Sequence, residues 1–388
     1  SFTDLNGASV KPREYQITWD AAAAQKGGYA HFMLKEIFEQ PKAVADTLIG
    51  RLHGGKIALD ELNLTSTEIK NLKKIVVLAC GTAYHAGMVA KYAIEKWSHI
   101  PVEVELASEF RYRDPIVDKE TLVIAISQSG ETMDTLMALR HAKEAGAKVL
   151  AICNTNSSTI PRESDAVIYT HAGPEIAVAS TKAFLTQVVA TYLIGLYLGQ
   201  AVGTLSERQI EALYNEMLEL PAKIEQILET VEPLRELTRS FADSSSVLFL
   251  GRHVGYPVAL EGALKLKELA YMHAEGFAGG ELKHGPIALI EDGTPVIAIL
   301  PPFASEISEK MRSNIQEVKA RGAKVIAIAA EGVEVPGAAH LIRIPNSSQL
   351  LQPVLTTVPL QVFAYEMACA RGTDVDQPRN LAKSVTVE

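Results

Sequence analysis

The stretch TLVIAISQSGETMDT (residues 121–135) joins an apolar run directly to a polar, glycine-containing segment and the start of a helical pattern. The run TLVIAI is apolar at both alternating positions, which predicts a strand buried on both faces. A fully apolar strand that leads into a helix is typical of a parallel sheet covered by helices.

The same alternation of strand and helix extends on both sides of this stretch and then repeats. SVLFLGR (246–252) corresponds to IVVLACG (75–81), TPVIAIL (294–300) to TLVIAIS (121–127), and RGAKVIAIAA (321–330) to AGAKVLAICN (145–154). We therefore predict an α/β fold made of two duplicated, doubly wound, flavodoxin-like parallel sheets with helices on both faces.

The boundaries of these units follow from changes in composition. We predict an N-terminal helical segment at 31–70, a first subdomain at 71–204, a helical connection at 205–243, a second subdomain at 244–371 and a tail at 372–388. Pro378 and the mixed polar residues of the tail argue against a regular element, and a frayed terminus is one interpretation.

Charge and cysteine content limit the classes of function. The 388 residues carry a formal net charge of −9 and no long Lys/Arg block, so we expect no nucleic-acid partner. The three cysteines are far apart in sequence, show no metal-ligand spacing and favour a reducing, cytoplasmic location.

An uncharged run at 183–203 is long enough to span a bilayer. Polar residues and glycines interrupt it, and its counterpart at 352–371 carries Glu366 and Arg371. We therefore predict a buried core helix and no membrane partner.

The segment SQSGET lies where ligands bind in doubly wound sheets, at the carboxyl end of a strand. Its glycine permits close approach of the backbone, and the first N–H groups of the next helix lack intrahelical partners. These features favour a phosphate site, and an ordinary capped turn is the alternative. The candidate ligands are Ser127, Gln128, Ser129 and Thr132.

Three further observations bear on this site. The matching segment of the second copy, LPPFASE (300–306), has two prolines that remove backbone donors, so we predict phosphate binding by the first copy alone. Thr82, in CGTAYHAG (80–87), and Ser180, in VAST (178–181), follow other strand ends. Each either joins the phosphate site or caps a helix.

In the second copy, the candidate functional residues are charged instead. Glu261, Lys265 and Glu268 fall on one face of a predicted helix and form either a surface ion-pair ladder or a partly buried group suited to proton transfer. His284, in the glycine-bounded segment GGELKHGP (279–286), is either a solvated loop residue or a functional one, and its spacing from His273 predicts no metal site.

SQSGET, the duplication and the tail resemble the sugar isomerase (SIS) domain family. Together with CGTAYHAG, ASEFRYRDP, VASTKAF, ALEGALKLKE, AGGELKHGP and DVDQPRNLAKSVTVE, they are similar to the isomerase half of the glucosamine-6-phosphate synthases, the isomerising glutamine–fructose-6-phosphate aminotransferases. The resemblance extends from Gly27 to Glu388.

The resemblance implies a role for each matching position. Lys383 would form a Schiff base with open-chain fructose 6-phosphate, Glu268 would move a proton between C1 and C2, and Lys265 would support both steps. His284 would help to open the sugar ring from the neighbouring subunit, which implies a homodimer. No cofactor or metal is implied. The sugar phosphate would be bound by Ser127, Gln128, Ser129, Thr132 and, nearby, Thr82, with Val178 and Ser180 lining the sugar.

Two departures from the family pattern affect the expected activity. Ala83 stands where a serine is common, which leaves one contact to the backbone or absent. Residues 1–30 resemble the end of a glutaminase domain and its linker, so we expect this chain to make glucosamine 6-phosphate with ammonia from a glutaminase domain that it lacks. It should not hydrolyse glutamine. A non-catalytic sugar-phosphate sensor and another SIS enzyme, such as a deaminase or deglycase, are the alternatives.

Overall fold

The structure is a computed structural model that describes residues 2–3, 6–11, 25–229, 231–303 and 305–387. Much of the segment predicted at 1–30 lies outside these residues, and the elements that follow are those of the described part of the chain.

Short hairpins precede two sets of five strands. The strands are β1 (Phe2–Thr3), β2 (Ser9–Val10), β3 (Leu52–His53), β4 (Lys56–Ile57), β5 (Lys74–Ala79), β6 (Val102–Leu106), β7 (Thr121–Ser127), β8 (Lys148–Cys153), β9 (Ala166–Tyr169), β10 (Ser246–Gly251), β11 (His273–Ala278), β12 (Pro295–Ile299), β13 (Lys324–Ala330) and β14 (His340–Ile344).

The helices alternate with these strands in both halves. They are α1 (Phe32–Phe38), α2 (Gln40–Leu48), α3 (Ser66–Lys70), α4 (Gly81–Ser98), α5 (Ala107–Phe110), α6 (Met133–Glu144), α7 (Thr159–Glu163), α8 (Lys182–Val202), α9 (Glu207–Leu218), α10 (Leu220–Leu228), α11 (Val231–Arg239), α12 (Gly255–Ala270), α13 (Glu306–Lys319) and α14 (Gln352–Arg371). Short 3-10 helices lie at Asp60–Leu62, Glu281–His284 and Pro286–Leu289.

The two five-stranded sheets are parallel and have the same strand order. The first runs β6-β5-β7-β8-β9 and the second β11-β10-β12-β13-β14, so each follows the order 2-1-3-4-5 of a flavodoxin-like sheet. Every residue of β7 is buried, as its uninterrupted apolar sequence predicts. The predicted duplication is thereby confirmed.

The order of the strands produces a crevice in the first sheet. β5 and β7 are neighbours, with Leu78 paired to Ala125, but the chain leaves them in opposite directions. The helix α4 follows β5 and packs against α8, whereas α6 follows β7 and packs against α5 and α7. The two strand ends diverge here, at the switch point where ligands bind in such sheets.

The uncharged run at 183–203 forms the core helix α8. By length and composition it is the one helix in the described residues that could cross a membrane, yet 78% of its most apolar window is buried within the fold. It packs on α4, its counterpart α14 packs on α12, and α4 packs on α12. These helices join the two repeats.

The tail has no regular secondary structure beyond α14, but it is firmly attached. Its Asp376 carboxylate accepts hydrogen bonds from the backbone N–H groups of Phe32 and Met33, both at 3.0 Å, at the start of α1. Arg379 stacks over the ring of Tyr271 with its guanidinium 4.2 Å from the ring centre. The interpretation of the tail as a frayed terminus is therefore wrong.

Candidate functional site

A cavity of about 130 Å³ lies at the carboxyl ends of β5 and β7. It brings together all seven predicted substrate-binding residues and Lys383 of the tail, although they come from four separate segments of the chain. Its lining consists of Cys80, Thr82, Ala83, Ile126, Ser127, Gln128, Ser129, Thr132, Thr135, Glu175, Val178, Ser180, Gln187 and Lys383.

The SQSGET segment forms a tight loop beneath this cavity. The hydroxyl of Ser127 accepts a hydrogen bond from Gly130 N at 3.0 Å and lies 3.1 Å from the hydroxyl of Thr132. Gly130 has a φ of +67°, and a Cβ there would lie 1.9 Å from the hydroxyl of Ser158. Thr132 occupies the N-cap of α6 but makes no side-chain cap hydrogen bond, whereas the Ser129 hydroxyl accepts one from Glu131 N at 3.2 Å within the turn.

The neighbouring strand-end residues do not cap helices with their side chains either. Thr181 precedes α8 without a side-chain cap bond, and the Thr82 hydroxyl donates to Glu261 Oε1 at 3.0 Å instead. Ser180 Oγ and Gln187 Oε1 are buried and have no hydrogen-bond partner among the described residues. An unpaired buried polar atom costs about 1–3 kcal/mol, so these two atoms in the cavity wall favour a polar ligand.

Lys383 reaches the cavity from the tail and is held there by two acceptors. Its Nζ lies 2.6 Å from Glu175 Oε2 and donates to the carbonyl of Ala177 at 2.8 Å. Burial would raise the pKa of Glu175, but the adjacent Lys383 ammonium and backbone N–H donors outweigh it and lower that pKa. The tail thus places an amine in the cavity beside SQSGET.

The tail also contacts the loop directly. The hydroxyl of Ser384 donates to that of Ser129 at 3.0 Å, and the carbonyl of Val385 accepts from Met133 N at 3.0 Å. Met133 N is the first N–H group of α6, one of the donors expected to serve a phosphate. The tail therefore covers the crevice and engages Met133 N, one of the N–H donors at the start of α6.

The predicted charged cluster on α12 is buried at its centre. Lys265 Nζ lies 2.5 Å from Glu268 Oε2 and 3.5 Å from Glu261 Oε1, and the Lys265 side chain is 1% exposed. Burial would lower the pKa of Lys265, but the Glu268 and Glu261 carboxylates outweigh it and raise that pKa. The interpretation as a surface ion-pair ladder is wrong, although Glu268 keeps 22% of its side chain exposed.

Glu261 links this cluster to the cavity across the two repeats. Besides the bond from Thr82, its second oxygen lies 2.7 Å from His85 Nδ1 on α4. Burial and charge thus connect α12 of the second repeat to the first residues after β5. His284, in contrast, is exposed on the 3-10 helix Glu281–His284 and does not line the cavity of its own chain.

Several residues of this region are absent from the sequence-based prediction. Glu175 and Gln187 flank the VAST motif, and His85 lies inside CGTAYHAG. Their closeness in sequence to these motifs is the signal that could have identified them. Glu36 lies on α1, far away in sequence. Burial, followed by the charge of Glu175, raises the pKa of Glu36 to about 8. In the sequence, the only sign that Glu36 could be functional is its position among the apolar residues of an amphipathic helix.

Fold and site together define the class of this protein. The chain belongs to the SIS domain family, whose pattern matches residues 68–197 and 240–371, one match for each sheet and its helices. The resemblance inferred from the motifs is confirmed.

Named relatives narrow the comparison further. The chain is 65% identical to the glutamine–fructose-6-phosphate aminotransferase (isomerizing) of Streptomyces coelicolor over 100% of its own length and 64% of that protein's. For the Mycobacterium tuberculosis protein of the same name the identity is 64%, over 97% of this chain and 61% of that protein. The chain thus spans somewhat less than two thirds of these relatives.

A solved structure matches the chain as a unit. The C-terminal domain of glucosamine-fructose-6-phosphate aminotransferase from Francisella tularensis is similar with a TM-score of 0.87 and 42% identity, over 91% of this chain and 100% of that one.

Proposed function

We propose that this chain is the sugar-phosphate isomerase portion of an isomerising glutamine–fructose-6-phosphate aminotransferase. It would convert fructose 6-phosphate into glucosamine 6-phosphate with ammonia. The observation that carries the proposal is the position of the Lys383 amine, which lies in the same cavity as the hydroxyls and unpaired polar atoms beside SQSGET.

The phosphate group would bind at the loop between β7 and α6. Ser127, Ser129 and Thr132 supply hydroxyls there, Gln128 supplies an amide, and Thr82 and Ala83 face them from the start of α4. Hydrogen bonds from neutral donors to a phosphate need no local cluster of Lys or Arg, which agrees with the acidic net charge. Val178 and Ser180 would line the sugar.

Lys383 would supply covalent catalysis. Its ammonium first loses a proton, for which the Glu175 carboxylate 2.6 Å away is the nearest acceptor. The neutral amine attacks C2 of the open-chain ketose, the C2–O bond breaks, oxygen leaves as water and a C2=N bond forms. Ammonia then adds to C2 and releases the lysine amine.

The α12 cluster would carry out the isomerisation. Glu268 would take a proton from C1 and return it to C2, and the proton of the C1 hydroxyl would pass to the nitrogen, which leaves an amino group on C2 and an aldehyde at C1. Lys265, buried against Glu268, would hold that carboxylate in position. His284 would open the sugar ring in the partner's cavity within a homodimer, because its exposed 3-10 helix lies outside the cavity of its own chain.

Ammonia would come from a glutaminase domain of the longer protein. The three thiols of this chain are poor candidates for a glutaminase nucleophile, since burial raises the pKa values of Cys80 and Cys369 and raises that of Cys153 to about 11. Free, unpaired cysteines also agree with a cytoplasmic location. Residues 71–204, 244–371 and 372–388 would act as two subdomains and a catalytic tail.

Borohydride trapping tests this function directly. The protein is incubated with fructose 6-phosphate, reduced with borohydride and digested, and the adduct is located by mass spectrometry. We expect one adduct, on Lys383, because hydride reduces the C2=N bond to a stable secondary amine.

Two controls make the result specific. The Lys383→Ala variant should bind fructose 6-phosphate but form no adduct and no glucosamine 6-phosphate with ammonium present. If the unaltered protein binds fructose 6-phosphate but forms no adduct and no product, the proposed enzymatic activity is refuted and a sugar-phosphate sensor is favoured. Release of ammonia from glucosamine 6-phosphate, without the reverse synthesis, would favour a deaminase.

A further inference from the structure

Glu36 is a buried carboxyl group outside the cavity that has no role in the proposed chemistry. It lies on α1, its residue is 2% exposed, and its Oε2 atom has no hydrogen-bond partner among the described residues. Its Oε1 atom accepts hydrogen bonds from the backbone N–H groups of Ile176 and Ala177, at 2.5 and 3.2 Å.

These two N–H groups belong to the short segment that holds the catalytic amine. Glu175, immediately before Ile176, provides the carboxylate partner of Lys383, and Ala177 provides the carbonyl acceptor. The carboxyl group of Glu36 therefore binds the backbone of the two residues that follow Glu175. Both acceptors of the Lys383 amine belong to this segment, so their positions depend on it.

The tail and α1 are connected by a second set of contacts. Asp376 accepts hydrogen bonds from the first N–H groups of α1, and its carbonyl accepts from Val178 N at 3.0 Å. Helix α1, segment 175–178 and the tail are thus bonded to one another in a closed ring of contacts, with Lys383 seven residues beyond Asp376 in the chain.

We propose that Glu36 is a positioning residue for Lys383: through Ile176 and Ala177 it sets the place of the two acceptors that aim the lysine amine at the sugar. This inference rests on the proposed function. It assigns to α1 a part in catalysis, whereas its sequence predicts only a supporting helix.

The charges around Glu36 favour a neutral carboxyl group in this role. Glu175 and Lys383 face it from segment 175–177 and the tail, and burial with the Glu175 charge raises its pKa to about 8. The other charged groups close to α1 are engaged elsewhere. Glu39 pairs with Lys182 and Lys35, Asp376 caps the helix, and His31 bonds the hydroxyl of Tyr365 on α14.

A neutral Glu36 leaves Glu175 as the single negative partner of Lys383. An ionised Glu36 would add a second negative charge near the amine and favour the ammonium, which cannot attack a ketone. Glutamine keeps the acceptor oxygen and the neutral state, whereas alanine removes the acceptor. The two substitutions therefore distinguish the effect of losing the acceptor oxygen from the effect of losing the ionisable group.

The experiment compares Glu36→Gln and Glu36→Ala with the unaltered protein at pH 7. It measures kcat and KM for fructose 6-phosphate with ammonium, and the rate of borohydride-trapped adduct at Lys383. We expect Glu36→Ala to lower kcat and the trapping rate by about 100-fold, the effect of a misplacement near 1 Å, with KM changed by less than about threefold. Glu36→Gln should retain both within about threefold.

Controls keep the outcomes distinct. Asp46→Asn removes a half-buried carboxylate of α2 that pairs with Lys42, outside the proposed site, and it should change none of these values. If Glu36→Ala fails to fold, Glu36→Asp takes its place, because it withdraws the acceptor by one methylene group and should slow trapping at unchanged KM.

Two results would overturn the positioning role: trapping by Glu36→Ala at the unaltered rate, or equal loss in Glu36→Gln and Glu36→Ala. Failure of the unaltered protein to form any adduct would instead refute the proposed function itself.

Discussion

Replacement of Glu36 by glutamine should change how the stability of this protein depends on pH. Burial, followed by the charge of Glu175, raises the pKa of Glu36 to about 8 from the 4.5 of a free carboxyl group. In the unfolded chain the same group ionises near 4.5. Folding at neutral pH therefore requires Glu36 to take up a proton, whereas a glutamine at this position requires none.

The sign and size of the effect follow from these two values. The stabilising contribution of the protonated group is complete below pH 4.5 and is lost as the pH rises toward 8, since only the unfolded state releases its proton in this window. At about 1.4 kcal/mol per pH unit, the unaltered protein should lose on the order of 3 kcal/mol relative to Glu36→Gln between pH 5 and pH 8.

Urea unfolding at pH 5, 6.5 and 8 measures this difference. Glu68→Gln is the matched control, because hydrogen bonds with Lys148 and Thr65 lower the pKa of exposed Glu68 to about 2 and keep it ionised throughout. The Glu36→Gln advantage should grow with pH, while the Glu68→Gln difference stays constant. A constant offset for Glu36→Gln over the whole range would refute the argument.

Three further changes test the site. Ser127→Ala with Ser129→Ala should weaken fructose 6-phosphate binding by about 100-fold in calorimetry, at about 1.5 kcal/mol or more for each lost bond to a charged group, and equal affinity would exclude the loop as the phosphate site. Gly130→Ala should destabilise the fold by about 3 kcal/mol or more, because its φ is +67° and its Cβ would meet a serine hydroxyl at 1.9 Å. Gly81→Ala, with φ +54° and open space, should cost only about 1 kcal/mol, and similar melting temperatures for both would contradict the clash. Glu268→Gln should still form the borohydride adduct but yield no glucosamine 6-phosphate, and normal turnover would remove its role in proton transfer.

The fold was predictable because its signals are local. The central strands β5, β7, β8, β10, β12 and β13 are short apolar runs, and the duplication shows in the order of these runs. The edge strands β6 (VEVEL) and β11 (HAEGFA) carry glutamates and give a weaker signal. The break between α1 and α2 falls at Glu39, two residues before Pro41, which predicts it. Parallel order then places SQSGET and CGTAYHAG side by side, because they follow adjacent strands.

The electrostatic partners within the site were not predictable in the same way. Lys383 and Glu175 lie 208 residues apart, and Glu36 bonds to Ile176 across 140 residues. No periodicity relates such positions, since the contacts exist only after the tail, α1 and the 175–178 segment have met. In the sequence, Glu36 is recognisable only as a glutamate among the apolar residues of an amphipathic helix, and surface ion pairs produce the same pattern.

Under the proposed function, the duplication would explain how phosphate binding and acid–base chemistry are divided between the two repeats. The first repeat supplies the neutral hydroxyls of Ser127, Ser129 and Thr132 at its switch point, beside the Glu175–Lys383 pair. The second repeat supplies Glu261, Lys265 and Glu268 from α12, which packs on α4. The Thr82–Glu261 bond joins the two sets across the interface of the repeats. In the proposed function, the α12 carboxylates would act on the sugar while uncharged groups of the first repeat bind the phosphate. The second copy has LPPFASE in place of SQSGET, which agrees with a role of that copy in proton transfer instead of phosphate binding.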